Sequence, residues 1–140
     1  MKELIISAET ERLEEVLAFV RGILESYNCP MEDLIAIEIA VEEIYVNIAH
    51  YAYHPEVGEA SIRCRVEKEP LRVIIEFMDG GIPYNPLEKA DPDISLSAEE
   101  RDVGGLGIYM VKNSMDDVAY KRENGKNIFT IQKNLRETAG

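Results

Sequence analysis

The feature that most restricts the fold of this chain is that its strand-like segments come in adjacent pairs. Residues 59–67 (EASIRCRVE) alternate apolar and polar side chains, residues 71–77 (LRVIIEF) do so less strictly, and Glu69-Pro70 between them reads as a tight connection. Residues 117–122 (DVAYKR) and 127–133 (NIFTIQK) repeat the arrangement around Asn124-Gly125, a dipeptide that favours the left-handed backbone of a two-residue hairpin turn. Strands joined in this way pair antiparallel and bury one face. Residues 2–7 (KELIIS) predict one more short strand.

Two helices are expected between that first strand and the first hairpin. Leu13, Val16, Leu17, Val20, Ile23 and Leu24 recur at spacings of three and four after Thr10-Glu11-Arg12, which makes one apolar helix face ending near Tyr27-Asn28-Cys29. Pro30 suits the first turn of the next helix, where its missing N–H would have had no intrahelical partner, and the second helix is expected over residues 31–52. From Asp79 to Val103 periodicity is lost and Pro83, Pro86 and Pro92 intervene. A loop of roughly 25 residues is uncommon in a compact domain, where such loops are usually lids or disordered. Order returns at Gly104-Gly105-Leu106-Gly107, and Ile108, Val111 and Met115 predict a short helix. Strands grouped in hairpins rather than alternating with helices indicate an α+β fold, a two-layer sandwich with a mixed, mostly antiparallel sheet and helices on one face. At 140 residues, one domain spanning the chain is expected.

Fifteen basic against 27 acidic residues give a formal charge of -12. That balance excludes a surface that tracks nucleic-acid phosphates, whose affinity comes from Lys and Arg displacing counterions, and it suits a basic protein partner. Cys29 and Cys64 stand singly, without a CxxC pair or a disulfide framework. The first fifteen residues, MKELIISAETERLEE, carry acids where a signal peptide would have an apolar core. A cytoplasmic protein without membrane contact is the expectation.

The second helix holds the first candidate chemistry. At 100° per residue Ile37, Val41, Ile44 and Ile48 cluster within about 60° and face the core. Glu38 and Glu42 project away from that stripe, whereas Glu43 and Asn47, four residues apart, lie together at its edge beside Ala36 and Ala40, small residues that leave room for a ligand. Such a pair is either a polar helix border or an oxygen-rich site for a hard cation, or for a base acting on a hydroxyl. The glycine loop before the short helix is likewise open to two readings, a tight helix entrance or a backbone that approaches an anion at a helix N-terminus.

The ordered set of Glu43 and Asn47 on a helix, Asp79 and Gly81 after a strand, and the stretch GGLGIYMVKNSMDDV before a final GKNIFTIQK strand resembles the nucleotide-binding domain shared by histidine kinases, gyrase and MutL. The likeness is greatest to its small bacterial branch, the anti-sigma-factor serine/threonine kinases, and it implies the Bergerat ATP-binding fold. Position by position, the resemblance implies Glu43 as the acid that orients or deprotonates the attacking hydroxyl and Asn47 as the ligand of a magnesium ion on the triphosphate. It implies Asp79 and Gly81 as the adenine-reading Asp-x-Gly motif, with the glycines leaving space for the base. It also implies Gly105, Leu106 and Gly107 as phosphate-binding backbone under a lid of about residues 86–104. Arg101 and Lys112 are cations placed to compensate phosphate charge, although Arg101 also lies among Glu99, Glu100 and Asp102. His50 falls one place before the family's usual histidine, where Tyr51-Ala52-Tyr53 stands instead, so His50 and His54 are expected to have no catalytic role. The implied activity is ATP- and Mg2+-dependent phosphorylation of a small anti-sigma-factor antagonist, with a sigma factor as a second partner and a homodimer as the family's common state. The competing expectation is a non-catalytic ATP-binding module that acts by sequestering its partner. A detached histidine-phosphorylating domain is disfavoured, because the first helix follows after only about ten residues.

Overall fold

The computed structural model describes residues 1–88 and 106–135. Five strands form one sheet in the order β1-β2-β3-β5-β4: β1 Lys2–Ser7, β2 Glu59–Glu67, β3 Arg72–Asp79, β4 Asp117–Glu123 and β5 Lys126–Asn134. Every pairing among them is antiparallel, so the two-layer α+β architecture is as expected and the sheet contains no mixed pairing among the described residues. Asn124 and Gly125 sit at φ 53° and 75°, the left-handed pair that a type I′ hairpin requires.

The register explains the core. Ile62 lies opposite Phe77 and Cys64 opposite Ile75, while Phe77 in turn pairs with Phe129 and Ile75 with Ile131. These rows form one buried face, and the apolar stripes of α1 (Leu13–Glu25) and α2 (Met31–Asn47) close over it through Val16, Val20, Leu24, Ile37 and Val41. The helix α3 (Leu106–Ser114) packs beside α2 and adds Val111, with Met115 just beyond its end.

Local backbone chemistry sets the helix ends. Asn28 takes the left-handed φ of 55° after α1, and the Cys29 N–H donates back to the Leu24 carbonyl at 3.3 Å, a common way to close a helix. Pro30 stands one residue before the helix rather than in its first turn: its ψ of 144° is extended, and its carbonyl accepts the Leu34 N–H at 2.9 Å. The expected 31–52 helix changes winding part-way. Its last five residues, Ile48–Ala52, form a π-helical turn, a wider winding often found at functional sites. Tyr45, also on α2, is fully buried. Its hydroxyl lies 2.6 Å from the Glu9 carbonyl and 2.9 Å from that of Ser7, and accepts the Glu9 N–H at 3.1 Å, tying the end of β1 to the helix layer.

Candidate functional site

Asp79 is the last residue of β3, paired with Ala60 on one side and Asn127 on the other. Hydrogen bonding holds its side chain in a buried position. Oδ1 accepts the Gly81 N–H at 3.0 Å and the Asn127 Nδ2 amide at 2.9 Å, and among the described residues Oδ2 accepts nothing. Asn127 uses its whole amide. Nδ2 also donates to the Ile82 carbonyl at 2.7 Å, and Oδ1 accepts the Tyr120 hydroxyl and, at 3.3 Å, the Tyr84 N–H. A buried amide with all its donors and acceptors engaged holds one geometry, so Asn127 fixes both the Asp79 carboxylate and the chain leaving it. Sequence reasoning passed over Asn127, because its significance lies in the cross-strand register of β3 and β5.

In front of Asp79 lies a cleft of about 480 Å³, part of it open to solvent. Ile44, Asn47, Ile48, Tyr51 and Ala52 from the end of the second helix form one wall, Phe77, Asp79, Tyr120, Asn127 and Phe129 from the sheet another, and Ile82, Tyr84, Pro86 and Ile108 the rest. A mostly apolar cleft with a few converging polar groups is the usual form of a small-molecule site.

Glu43 and Asn47 stand together as the helical spacing requires. Asn47 lines the cleft, and its Nδ2 donates to Glu43 Oε1 at 3.4 Å. Glu42 is exposed. Glu38 is not free on the surface but accepts from Arg21 Nε at 2.6 Å, clamping α1 to α2. Ala40 is buried in the core and Ala36 packs against it. Neither lines the cleft, so these small residues serve packing and open no ligand space.

Two of the motif glycines are approached closely by other protein atoms. A Cβ on Gly81 would lie 2.1 Å from the Ala52 carbonyl oxygen, and the neighbouring Ile82 N–H donates to that same oxygen at 3.0 Å. The space beside Gly81 is taken by the π-helical turn, not kept for a base. A Cβ on Gly107 would lie 2.0 Å from Glu43 Oε1, so the bare Cα of α3 rests on that carboxylate. Tyr53 secures the same corner. Its hydroxyl donates to the Glu59 carbonyl and accepts the Gly80 N–H, each at 2.6 Å, and burial pushes the phenol above its ordinary range, partly offset by the Gly80 contact.

Lys112 lies on α3 and is not among the residues lining the cleft. Leu106 opens α3, while Gly105, Arg101 and the rest of residues 89–104 of the expected lid lie outside the described residues. The start of that lid, Pro86–Glu88, is a single 3-10 turn, and Asn85 Oδ1 accepts the Leu87 N–H at 2.9 Å. His50 and His54 are exposed, with His50 beside Tyr51 and neither on the cleft wall. Among the described residues no helix is long and apolar enough to cross a membrane.

A profile of the histidine kinase-like ATPase domain matches residues 6–133. The serine-protein kinase RsbW of Bacillus cereus is 27% identical over 139 residues, covering 96% of this chain and 86% of the relative. Its counterpart in Bacillus thuringiensis is 27% identical over 137 residues with the same coverage. Among solved structures, a chain of the SiaB–SiaC complex from Pseudomonas aeruginosa superposes with a TM-score of 0.55 at 13% identity, over 95% of this chain and 89% of that one, and so shares its fold.

Proposed function

The chain belongs to the histidine kinase-like ATPase domain family, and on that footing we propose that it is an ATP-dependent serine/threonine protein kinase of the anti-sigma-factor type. Its substrate would be a small anti-sigma-factor antagonist, and a sigma factor would be the partner it holds alternately. The observation that carries the reading is the buried Asp79, fixed through Oδ1 at the foot of an apolar cleft that also holds Asn47, with Glu43 beside it. Oδ2 would accept from the adenine amino group and reject guanine, which presents an oxygen at that position.

A serine hydroxyl of the substrate would then sit beside Glu43. Its oxygen attacks the γ-phosphorus, the bond from that phosphorus to the bridging oxygen of ADP breaks, and the hydroxyl proton passes to the Glu43 carboxylate. The donor set also fits magnesium. No cluster of three His, Cys, Asp or Glu side chains exists among the described residues, but magnesium needs only one or two protein oxygens when phosphates and water supply the rest. Asn47 Oδ1 is the oxygen this chain would contribute, and the bound ion would neutralise charge on the triphosphate.

One observation favours the second reading, a module that binds ATP and acts by sequestration: Gly107 packs directly on Glu43 and would limit the approach of a hydroxyl. Incubation with labelled ATP and the antagonist separates the two. Transfer by the wild type that disappears in Glu43→Gln while ATP still binds supports the kinase. Absence of transfer, alongside transfer by a related kinase as positive control, refutes it.

A further inference from the structure

We infer that the outward face of α2 is a docking surface for a partner protein whose contact segment combines apolar side chains with lysine or arginine. Met31, Ile35 and Ile39 are 68%, 49% and 50% exposed. They follow one another at four-residue intervals, so at 100° per residue they occupy an arc of about 80°, opposite the core stripe. Met31 to Ile39 spans about 12 Å along the axis, two turns of a partner helix. α2 is thus apolar on both sides although it lies on the protein's surface, between α1 and α3. An apolar core face is expected of any surface helix, but a second, exposed apolar row of this kind marks an interaction site.

Charge identifies the occupant. Residues 8–58, the helical side of the fold up to β2, hold eleven acidic residues against two basic ones, so nine of the chain's twelve net negative charges lie there. The two basic residues, Arg12 and Arg21, are already paired with Glu15 and Glu38. Exposed Glu42 lies within the same arc as the stripe. A second copy, meeting this face through a two-fold axis, would press like charge on like charge. An anionic membrane would be repelled by the same field. A basic, apolar protein segment gains from both features. This inference stands on exposure and charge and does not depend on phosphoryl transfer.

The test uses the full chain with methyl-labelled Ile and Met and two synthetic amphipathic helical peptides of identical leucine spacing, one with lysines on its polar positions and one with glutamates. The lysine peptide is expected to shift the Met31, Ile35 and Ile39 methyl signals, and the glutamate peptide to leave them unchanged. The charge-neutral double variant Ile35→Gln/Ile39→Gln should bind the lysine peptide about tenfold or more weakly. Met31→Gln, at the most exposed of the three positions, is a second variant that leaves the core untouched and should weaken binding in the same direction. Equal binding by wild type and all variants, or methyl shifts confined to other residues, overturns the inference. So does a wild-type dimer that the double variant dissociates, since a second copy would then be the occupant.

Discussion

Replacing Asp79 by Asn changes one side of the carboxylate while sparing the other. The asparagine oxygen can keep both contacts of Oδ1, the Gly81 N–H at 3.0 Å and the Asn127 amide at 2.9 Å. Those two bonds lose only their charge assistance, so stability should fall by about 1 kcal/mol, or about 3–4 °C in melting temperature for a chain of this length. At the position of Oδ2 an acceptor becomes an NH2 donor, facing the cleft. An adenine amino group placed there would lose a charge-assisted hydrogen bond and meet another donor. Together these cost about 3–4 kcal/mol, roughly 10²- to 10³-fold in affinity. Inosine triphosphate, with a carbonyl oxygen in place of the amino group, should lose much less or gain. Titration calorimetry of both nucleotides, with melting curves of both proteins, reads every part. ATP affinity within threefold of wild type, or equal losses for the two nucleotides in a folded protein, would refute the assignment of Asp79 as the base-reading group.

Neighbouring glycines should respond very differently to alanine. Gly81→Ala sets a Cβ 2.1 Å from the Ala52 backbone oxygen, where nothing flexible can yield, and denaturant unfolding should show a loss of about 2–4 kcal/mol. Gly80→Ala meets only the Tyr53 hydroxyl at 3.5 Å and should stay within about 0.5 kcal/mol of wild type. Gly107→Ala collides with the end of the Glu43 side chain, which can swing away, so phosphoryl transfer should fall at least about tenfold with a smaller loss of stability than Gly81→Ala, as paired kinetic and melting measurements would show. Burial pushes the Cys64 thiol up to about 12. The thiol is neutral in the fold, so from pH 9, where the unfolded chain releases the proton, up to about 12, where the folded chain does, stability should fall by about 1.4 kcal/mol per pH unit. Below that window this contribution is flat, and folded protein should show Cys64 unreactive toward iodoacetamide at pH 8.

Features set by local chemistry were legible in the sequence. The hairpin at Asn124-Gly125, the alternation of β2 and the core stripe Ile37-Val41-Ile44-Ile48 each depend on residues within a few positions of one another, and the structure contains all three. The placement of Glu43 and Asn47 together follows from the same helical period. Features set by contact between distant segments were not legible. Asn127 matters because β5 lies against β3 in a register that puts it opposite Asp79, and nothing near Asn127 in sequence announces this. Tyr45 lies in an apolar stretch of helix, and nothing near it in sequence shows that its hydroxyl anchors a segment 36 residues away. The sequence leads one to expect space for a base at Gly81 and phosphate-binding backbone at Gly107, because glycine indicates that something comes close without saying what. For Gly81 it is the Ala52 backbone and for Gly107 the Glu43 carboxylate.

These contacts give the site a shared mechanical origin. Asp79 belongs to the sheet, whereas Glu43 and Asn47 belong to the helix layer, so the group proposed to read the base and the groups proposed to act on the phosphate are held by different layers. The register between them depends on the π-helical turn and the residue after it, which receive the loop leaving β3 through the Ile82 N–H on the Ala52 carbonyl and the Gly80 N–H on the Tyr53 hydroxyl. With ordinary α-helical winding through Ile48–Ala52, successive residues would rotate by about 100° each and the Ala52 carbonyl would point elsewhere. A substitution that restores that winding would misplace Asp79 relative to Asn47 without altering either residue. Displacements of about 1 Å are enough to cost a reaction 10²-fold. The conformation of these five residues therefore determines the site as directly as the acids and the amide do, and none of them carries a reactive group beyond the exposed ring of His50 and the phenol of Tyr51.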